Sequence, residues 1–405
     1  MTSQPPLWTR NFIFICLAHV CMTIAFYANM PVLPLFLKDR LGAEGVVMGL
    51  VVASYTASSI LSRPVAGFWL DRVGRMILYA PSYLLFGLLF FAYPLAGAIA
   101  AITLLRLTHG VLWGAMMGAA NTLAVDLIPP GRRGEGIGMF GLTMNLGMAL
   151  GPAIGLPVTE HFGYDGLFIF GGLLVTAGFI LVLKVRAPAV PLEKKPFAFR
   201  DLLERTSLPV SLVTMIMCLP FGVMMNYTVL YTQTEVKAAS GTFFLVLALG
   251  MAVSRIMAGK TFDRQGPGVA MFRAFVFLVG ALALQAFTRH GGVFYLSAVF
   301  LGFGYGISAP VCQAMVNALA GTERRGAANA TFMTAFDLGI SIGIVLIGHV
   351  QKEFGWGVSH GIEIGCFLLG AVLFWTVCLP HYNRTLKSLR EKEILEEGNH
   401  KGLAP

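Results

Sequence analysis

The sequence predicts an all-α integral membrane protein in which two six-helix bundles of the same orientation follow each other. Of its 405 residues, 56% are hydrophobic and only 12% are charged, about half the charged fraction of a soluble domain. Such a composition needs lipid as its solvent, and a helix crosses the hydrocarbon with roughly 20 apolar residues. The chain therefore has room for about a dozen membrane-spanning helices with short connections.

Apolar stretches predict where these twelve spans lie. They run near residues 12–37, 46–70, 76–97, 98–125, 136–158, 166–185, 208–233, 240–262, 270–288, 292–320, 327–350 and 359–380. No small-residue cleavage site follows the first span, so it is predicted to be a retained helix and not a signal peptide. The six cysteines lie within spans without metal-ligand spacing, so we expect packing roles for them and no metal site.

Basic residues predict the orientation in the membrane. Five of the 29 Lys and Arg residues lie in odd-numbered connections, namely Lys38, Arg40, Lys237, Arg289 and Lys352. Three lie farther inside spans, namely Arg63, Arg106 and Arg255, and the remaining 21 lie in the termini, in the even-numbered connections or at the span ends that border them. The positive-inside rule then places both termini in the cytoplasm. This distribution explains the net charge of +9 without nucleic acid as a partner. Arg63 and Arg255, near span ends, are expected to be structural anchors that snorkel.

An internal repeat is the most specific signal in the sequence. The halves align at a constant offset of 192 residues over three segments: Ser62-Arg63 through Gly74 with Ser254-Arg255 through Gly266, Gly110 and Gly114 with Gly302 and Gly306, and Arg132-Arg133-Gly134 through Gly151 with Arg324-Arg325-Gly326 through Gly343. The repeat predicts four parts: an N-terminal bundle over 1–185, a cytoplasmic linker over 186–207, a C-terminal bundle over 208–383 and a cytoplasmic tail over 384–405.

Four motifs resemble those of a known family. The segment between spans 2 and 3 contains Gly67, Asp71, Arg72, Gly74 and Arg75, and its second copy contains Asp263 and Arg264. The other three motifs are Pro31-Val32-Leu33-Pro34, Arg106-Leu107-Thr108-His109-Gly110, and the run from Gly147 through Gly151 and Pro152 to Gly155. The first is similar to the signature loop of major facilitator transporters, and the other three resemble motifs of the twelve-helix drug:proton antiporters.

The resemblance implies a monomeric secondary transporter in a bacterial inner membrane, which exports small amphipathic molecules in exchange for protons by alternating access. It implies that the Asp71 loop and its copy form a cytoplasmic latch, and that Gly147, Gly151, Pro152 and Gly155 permit close helix packing. Leu156 replaces the second of two glycines that commonly end the last motif. A proton-coupled symporter or a uniporter for a nutrient or anionic metabolite is the alternative.

Polar residues at membrane depth are candidates for the proton-coupling or substrate site, because charge there costs a few kcal/mol or more. Asp337 lies near the middle of span 11, and its repeat equivalent is Asn145. Arg106 lies in span 4 with His109 one turn away. A structural ion pair between the halves is the alternative role for Asp337. His19 in span 1 is interpreted either as a hydrogen-bonded core residue or as a proton carrier.

The family resemblance places spans 1, 4, 7 and 10 around the substrate. Polar residues expected to line that central cavity are Asn29, Asn226, Tyr227, Tyr231, Tyr305 and Gln313. The sequence contains no phosphate-binding glycine loop and no His-Glu metal motif, so we expect no cofactor, no enzymatic activity and an ion gradient as the energy source. A membrane enzyme or sensor is disfavoured because catalytic triads and soluble appendages are absent from the sequence.

Overall fold

The computed structural model describes residues 6–129, 132–187, 204–287, 289–320 and 325–401, and these ranges are almost entirely helical with no strand. The helices are, in order, α1 (Arg10–Asn29), α2 (Leu33–Leu41), α3 (Gly45–Val73), α4 (Arg75–Phe90), α5 (Ile99–Leu127), α6 (Arg133–Val182), α7 (Leu208–Tyr231), α8 (Ser240–Phe287), α9 (Gly291–Leu319), α10 (Arg325–Leu373) and α11 (Leu379–Lys401). Within the described ranges, eight stretches are long and apolar enough to cross a membrane. The predicted all-helical membrane class is confirmed.

Three long helices contain a sharp break at a glycine. The breaks lie at Gly163 in α6, Gly266 in α8 and Gly355 in α10, with φ of 70°, 78° and 80°. Only glycine adopts this backbone conformation at little cost. Each break falls in a predicted gap between spans. Gly163 and Gly355 are also 192 residues apart, a further repeat pair that the sequence analysis missed.

The first predicted span is wrong as a single helix, because the chain breaks between α1 and α2. Pro31 lies in the break and Pro34 in the first turn of α2. Proline supplies no backbone donor and is tolerated in a first helical turn, but not in a helix interior. Gly42, with φ of 62°, ends α2, and its backbone N–H donates to the carbonyl groups of Leu37 and Lys38.

The two halves repeat the same helix packing. In the first half α1 packs against α6, and α3 packs against α5. In the second half the repeat equivalents do the same, α7 against α10 and α8 against α9. The halves contact each other through α3 with α10 and through α6 with α8, which are again repeat equivalents. Each interface of one half therefore has its counterpart in the other.

Glycines allow these close approaches. A methyl group added at Gly151 of α6 would lie 2.6 Å from Tyr27 Cβ and 2.7 Å from the backbone nitrogen of Ala28 on α1. A methyl group at Gly155 would lie 2.8 Å from the Ala28 carbonyl oxygen. Gly147 faces Thr23 in the same interface. Larger side chains at these positions would separate the two helices.

The predicted linker over 186–207 lies mostly outside the described residues. At the other end of the second half, α10 passes through a wider helical turn at Phe374–Cys378 into α11. The predicted tail over 384–405 is therefore helical as far as Lys401.

Candidate functional site

An ion pair joins the two halves. Arg63 on α3 donates a hydrogen bond from Nη2 to Oδ2 of Asp337 on α10, and each side chain is only 22% exposed. Arg63 was expected to snorkel as a structural anchor, and that interpretation is wrong, because its guanidinium turns inward to the other half. Its Nη1 atom is buried without a hydrogen-bond partner among the described residues. The arrangement is the inter-half ion pair left open as the alternative for Asp337.

A cluster of aromatic side chains of the first half lies beside this pair. Tyr55 lies within electrostatic reach of Arg63, Asp337 and Arg106, and its buried hydroxyl has no hydrogen-bond partner among the described residues. The ring of Phe26 stacks on Tyr55 at 4.9 Å and lies 4.4 Å from the ring of Trp113. These rings form an apolar wall next to two cations and one carboxylate. Tyr55 and Arg63 are eight residues apart, two turns along one face of α3, a spacing readable from the sequence.

Arg106 is a buried cation that relies on neutral partners. Its Nη2 donates to the Val52 carbonyl oxygen at 3.1 Å, and its guanidinium carbon lies 4.6 Å from the centre of the Tyr55 ring. The Tyr93 hydroxyl is within reach as a further hydrogen-bond partner. No carboxylate of the described residues forms an ion pair with Arg106, which is only 4% exposed. A fixed charge held by a carbonyl group and an aromatic face is free to attract an anion.

The two candidate histidines lie inside the first bundle. Both ring nitrogens of His109 are occupied, with Nε2 2.9 Å from the Phe86 carbonyl oxygen and Nδ1 3.1 Å from the Tyr93 hydroxyl. This set fits a neutral imidazole that donates from Nε2 and accepts at Nδ1. His19 is 2.6 Å from the Thr143 hydroxyl through Nδ1, while its buried Nε2 has no partner among the described residues.

The polar residues of the second half occupy a different place from the one expected. Tyr227, Tyr231 and Tyr305 line a small cavity enclosed by α7, α8, α9 and α10, inside the second bundle. Their hydroxyls donate to backbone carbonyl groups, at 3.2 to 3.3 Å. Asn226 is buried and donates to the Gly222 carbonyl oxygen.

Two further residues were expected in the central cavity. Asn29 is buried at the end of α1, and its Oδ1 has no hydrogen-bond partner in the described part of the chain. Gln313 is half-buried in α9.

The end of the first bundle at which α3 and α4 meet, which we call the Arg75 end, contains the expected latch segment. Gly74, with φ of 97°, makes the turn between α3 and α4, and Arg75 Nε donates to Asp126 Oδ2 of α5 at 3.0 Å. Asp126 follows predicted span 4 directly and was not among the residues predicted from the sequence. Arg72 and Arg264 are exposed, and Gly67 lies within α3. The side chains of Asp71, Asp263 and Asn145 lie outside what the structure describes.

The opposite end of the molecule, which we call the Lys352 end, also connects the halves. Lys352 of α10 lies 3.2 Å from the carboxylate of Glu44, which precedes α3. Both side chains are about half exposed, at 45% and 50%, so this ion pair contributes little on its own. Gly45 packs directly beneath the Lys352 side chain, which brings the two helices together. In the described ranges no group of three or more His, Cys, Asp or Glu side chains has the geometry of a metal site.

Comparison with known proteins assigns the family. The family model described as Major Facilitator Superfamily matches residues 15–291 and 269–405. The chain belongs to the Major Facilitator Superfamily. Members of this superfamily named multidrug resistance protein MdtG, from Escherichia coli, are similar to the chain, with 25% identity over 98% of it and 99% of the relative.

Solved structures of the superfamily share the fold. The peptide transporter POT superposes with a TM-score of 0.78 at 14% identity, covering 94% of this chain and 97% of the transporter. The human organic anion transporter MFSD10 superposes with a TM-score of 0.71 at 19% identity, covering 91% of this chain and 100% of the transporter. A D-xylose-proton symporter superposes with a TM-score of 0.74 at 16% identity, covering 92% of this chain and 98% of the symporter. The protein is therefore a multi-pass membrane transporter and not an enzyme.

Proposed function

We propose that the protein exports small amphipathic molecules in exchange for protons, by alternating access of a site between its two halves. The similarity to proteins named for multidrug resistance supports export, over nearly the full length of both chains. The proposed architecture has twelve crossings, with the glycine breaks in α6, α8 and α10 each separating two of them. Basic residues favour cytoplasmic termini. A bacterial inner membrane and a monomer complete the proposal.

The ion pair between Arg63 and Asp337 is the observation that carries the mechanism. The pair connects α3 to α10 across the interface that must open and close for access to alternate. A proton on Asp337 removes the charge that attracts Arg63, so protonation weakens this connection. Proton binding and movement of the halves are thereby coupled at one residue. In the proposed cycle, a proton from outside neutralises Asp337 and is released to the cytoplasm after the inward movement.

The site fits amphipathic substrates by its chemistry. The rings of Phe26, Tyr55 and Trp113 offer an apolar and aromatic surface. Asp337 supplies a carboxylate, which is paired with Arg63 in this structure, and Arg106 supplies a guanidinium without a carboxylate partner among the described residues. A positive substrate is attracted to the carboxylate and the aromatic faces, and an anion to the guanidinium. A site of this composition accepts molecules that combine an apolar body with a polar group.

The latch at the Arg75 end is part of the same proposal. Arg75 is held by Asp126 at 3.0 Å, and both side chains are largely buried, with exposed fractions of 16% and 18%. The pair fixes the start of α4 against the end of α5, so that the segment around Gly74 keeps one conformation. With cytoplasmic termini, this end faces the cytoplasm, so the pair holds the latch segment in place on that side of the first bundle.

Transport in proteoliposomes tests the proposal. Purified protein is reconstituted, a pH difference is imposed, and uptake of cationic, neutral and anionic amphipathic compounds is followed together with proton movement. We expect accumulation in the direction opposite to proton flow, and its loss when an ionophore removes the pH difference. Movement of substrate and protons in the same direction would indicate the symporter, and transport indifferent to pH the uniporter. Either result would contradict the proposed antiport.

A further inference from the structure

A second pair of titratable side chains lies buried in the second bundle. His360 and Glu363 follow the glycine break in α10 and are 4% and 2% exposed. His360 Nδ1 and Glu363 Oε1 are 3.6 Å apart, and the Ser359 hydroxyl donates to Glu363 Oε1 at 3.0 Å. Neither ring nitrogen of His360 has a hydrogen-bond partner among the described residues. A charged or polar group buried in this way needs a compensating interaction.

The pair faces a cavity of about 20 Å³, enough for one water molecule. Helices α7, α8 and α9 close the cavity around the pair, with Gln285 as a polar neighbour. The ring of Tyr231 lies 5.2 Å from the imidazole ring and that of Trp356 lies 6.0 Å from it. The space is too small for an organic substrate. It suits a proton, carried by the side chains themselves or by a water molecule between them.

Other titratable groups face the pair from α7, α9 and α10, whereas the residues of α8 beside it, Leu282 and Gln285, do not titrate. Tyr227 and Tyr231 of α7, Tyr305 of α9 and Cys366 of α10 are uncharged near neutral pH. Arg289 acts electrostatically on Tyr231 and is itself paired with Glu235. No Lys or Arg of the described residues forms an ion pair with Glu363. His360 is thus the partner available to balance its charge.

Polar side chains near the pair extend to the solvent-exposed surface. Trp356 donates from its indole nitrogen to the Thr234 hydroxyl at 3.2 Å, and the adjacent Glu235 pairs with Arg289, which is 54% exposed. These residues lie at the Lys352 end of the molecule, beyond the end of α7. A short run of polar side chains therefore leads from Trp356, next to His360, to the surface, and no hydrogen bond joins Trp356 to the ring of His360.

We infer that His360 and Glu363 form a proton-binding site of the second half, separate from Asp337. One proton shared by the pair gives either an ion pair or two neutral side chains, so the pair holds it without leaving an isolated buried charge. Histidine is the side chain whose charge ordinarily changes between about pH 5 and 8. Only the use of this proton in transport rests on the proposed antiport; its binding does not.

Fluorine NMR of purified full-length protein tests the inference through Trp356. The five tryptophans are labelled as 5-fluorotryptophan, and Trp356→Phe assigns the resonance next to His360. Spectra are recorded between about pH 5 and 8, where histidine ordinarily changes charge, and we expect the Trp356 resonance to move in a single transition. His360→Gln should abolish the transition, and Glu363→Gln should displace its midpoint. The matched controls His349→Gln and Glu353→Gln, exposed on the same helix, should retain the parent midpoint.

Each outcome has a definite meaning. A parent resonance that does not move over this range, or one with the same midpoint in His360→Gln, would overturn the inference. An unchanged midpoint in Glu363→Gln would remove the carboxyl group from the site. Because the parent protein alone gives the first result, a variant that does not fold leaves the test decisive. Transport measured in parallel separates the proposals. If the Trp356 resonance moves with pH while transport does not respond to a pH gradient, the antiport is contradicted and the proton-binding site is not.

Discussion

Arg63 of α3 and Asp337 of α10 form an ion pair across the two halves, whereas the equivalent pair of positions lacks a carboxylate. By the offset of 192, Arg255 of α8 corresponds to Arg63, and Asn145 of α6 corresponds to Asp337. The same helix pairs contact each other in both places. Arg255 Nε is buried without a hydrogen-bond partner among the described residues. Of these two equivalent pairs of positions, only the one with Asp337 has a side chain that can gain and lose a proton beside its arginine.

Asp337→Asn should separate transport from the pH gradient. The amide keeps the size and a hydrogen-bond acceptor for Arg63 but cannot gain or lose a proton. The variant should exchange substrate down its gradient at a rate near that of the parent and lose at least about tenfold in accumulation driven by a pH difference. Counterflow and gradient-driven uptake in the same proteoliposomes measure the two quantities. Uphill transport with the parent pH dependence would leave Asp337 a structural partner only.

Arg63→Gln should destabilise the protein more than the double variant Arg63→Gln, Asp337→Asn. Loss of the arginine alone leaves a largely buried carboxylate without its cation, at a cost of about 3–5 kcal/mol. Neutralising both partners removes that unpaired charge, so part of the stability should return. Thermal unfolding in detergent at pH 7.5 gives the comparison. If the single and double variants unfold at the same temperature, the two side chains do not interact in the folded protein.

Asn145→Asp should create the missing second connection. The variant places a carboxylate at the repeat equivalent of Asp337, on the helix that packs against the helix of Arg255. A new charge-assisted hydrogen bond there is worth about 1.5–3 kcal/mol, so unfolding should occur at a higher temperature while transport slows. The further change Arg255→Gln should cancel the gain. If Asn145→Asp raises the unfolding temperature by the same amount in the presence of Arg255 and of Arg255→Gln, the new carboxylate does not pair with Arg255 and the symmetry argument is refuted.

Gly151→Ala should weaken the packing of α6 on α1. The added methyl group meets Tyr27 Cβ at 2.6 Å and the Ala28 backbone nitrogen at 2.7 Å, so the helices must separate, at a cost of about 1–3 kcal/mol. Gly118→Ala in α5 is the matched control, because no atom lies within 4 Å of its added methyl group. It should leave the unfolding temperature unchanged or raise it slightly through better helix propensity. Equal unfolding temperatures for the two variants would show that α1 adapts freely.

The helical class, the repeat and most span boundaries could be predicted because they depend on local composition and on one alignment. The gap between predicted spans 8 and 9, for example, contains Gly266, whose equivalent Gly74 was part of the repeat. The pairing of Arg63 with Asp337 could not be predicted, because the residues are 274 positions apart and helix contacts are not encoded in local pattern. The break at Pro31 was missed because both sides of it are apolar.

The buried pair in the second bundle was missed for another reason. His360 and Glu363 are three residues apart, a spacing that places both on one face of a helix, and this was readable from the sequence. Their burial could not be read from the sequence, because the predicted span begins at residue 359 and places both residues at its end. The break at Gly355 starts the helix earlier and encloses the two side chains among α7, α8 and α9.

Arg106 should be indispensable as a cation and also as a guanidinium. Its charge stays fixed because arginine does not lose its proton in proteins, and its planar fork reaches the Val52 carbonyl group and the Tyr55 ring together. Arg106→Ala leaves the Val52 carbonyl oxygen and the Tyr93 hydroxyl without this donor and should reduce gradient-driven transport about 100-fold or more. Arg106→Lys keeps the charge over Tyr55 and should recover about a tenth of the parent rate. Arg384→Ala is the control, since it removes an arginine that is exposed on α11 and lies outside the proposed site and latch. Substrate binding by isothermal titration then separates the roles, because a lost binding site abolishes the heat signal while a lost coupling step preserves it. If Arg106→Ala transports like the parent protein under a pH gradient, the residue only packs α5 against α3, and the charge that attracts anionic substrates must lie elsewhere in the protein.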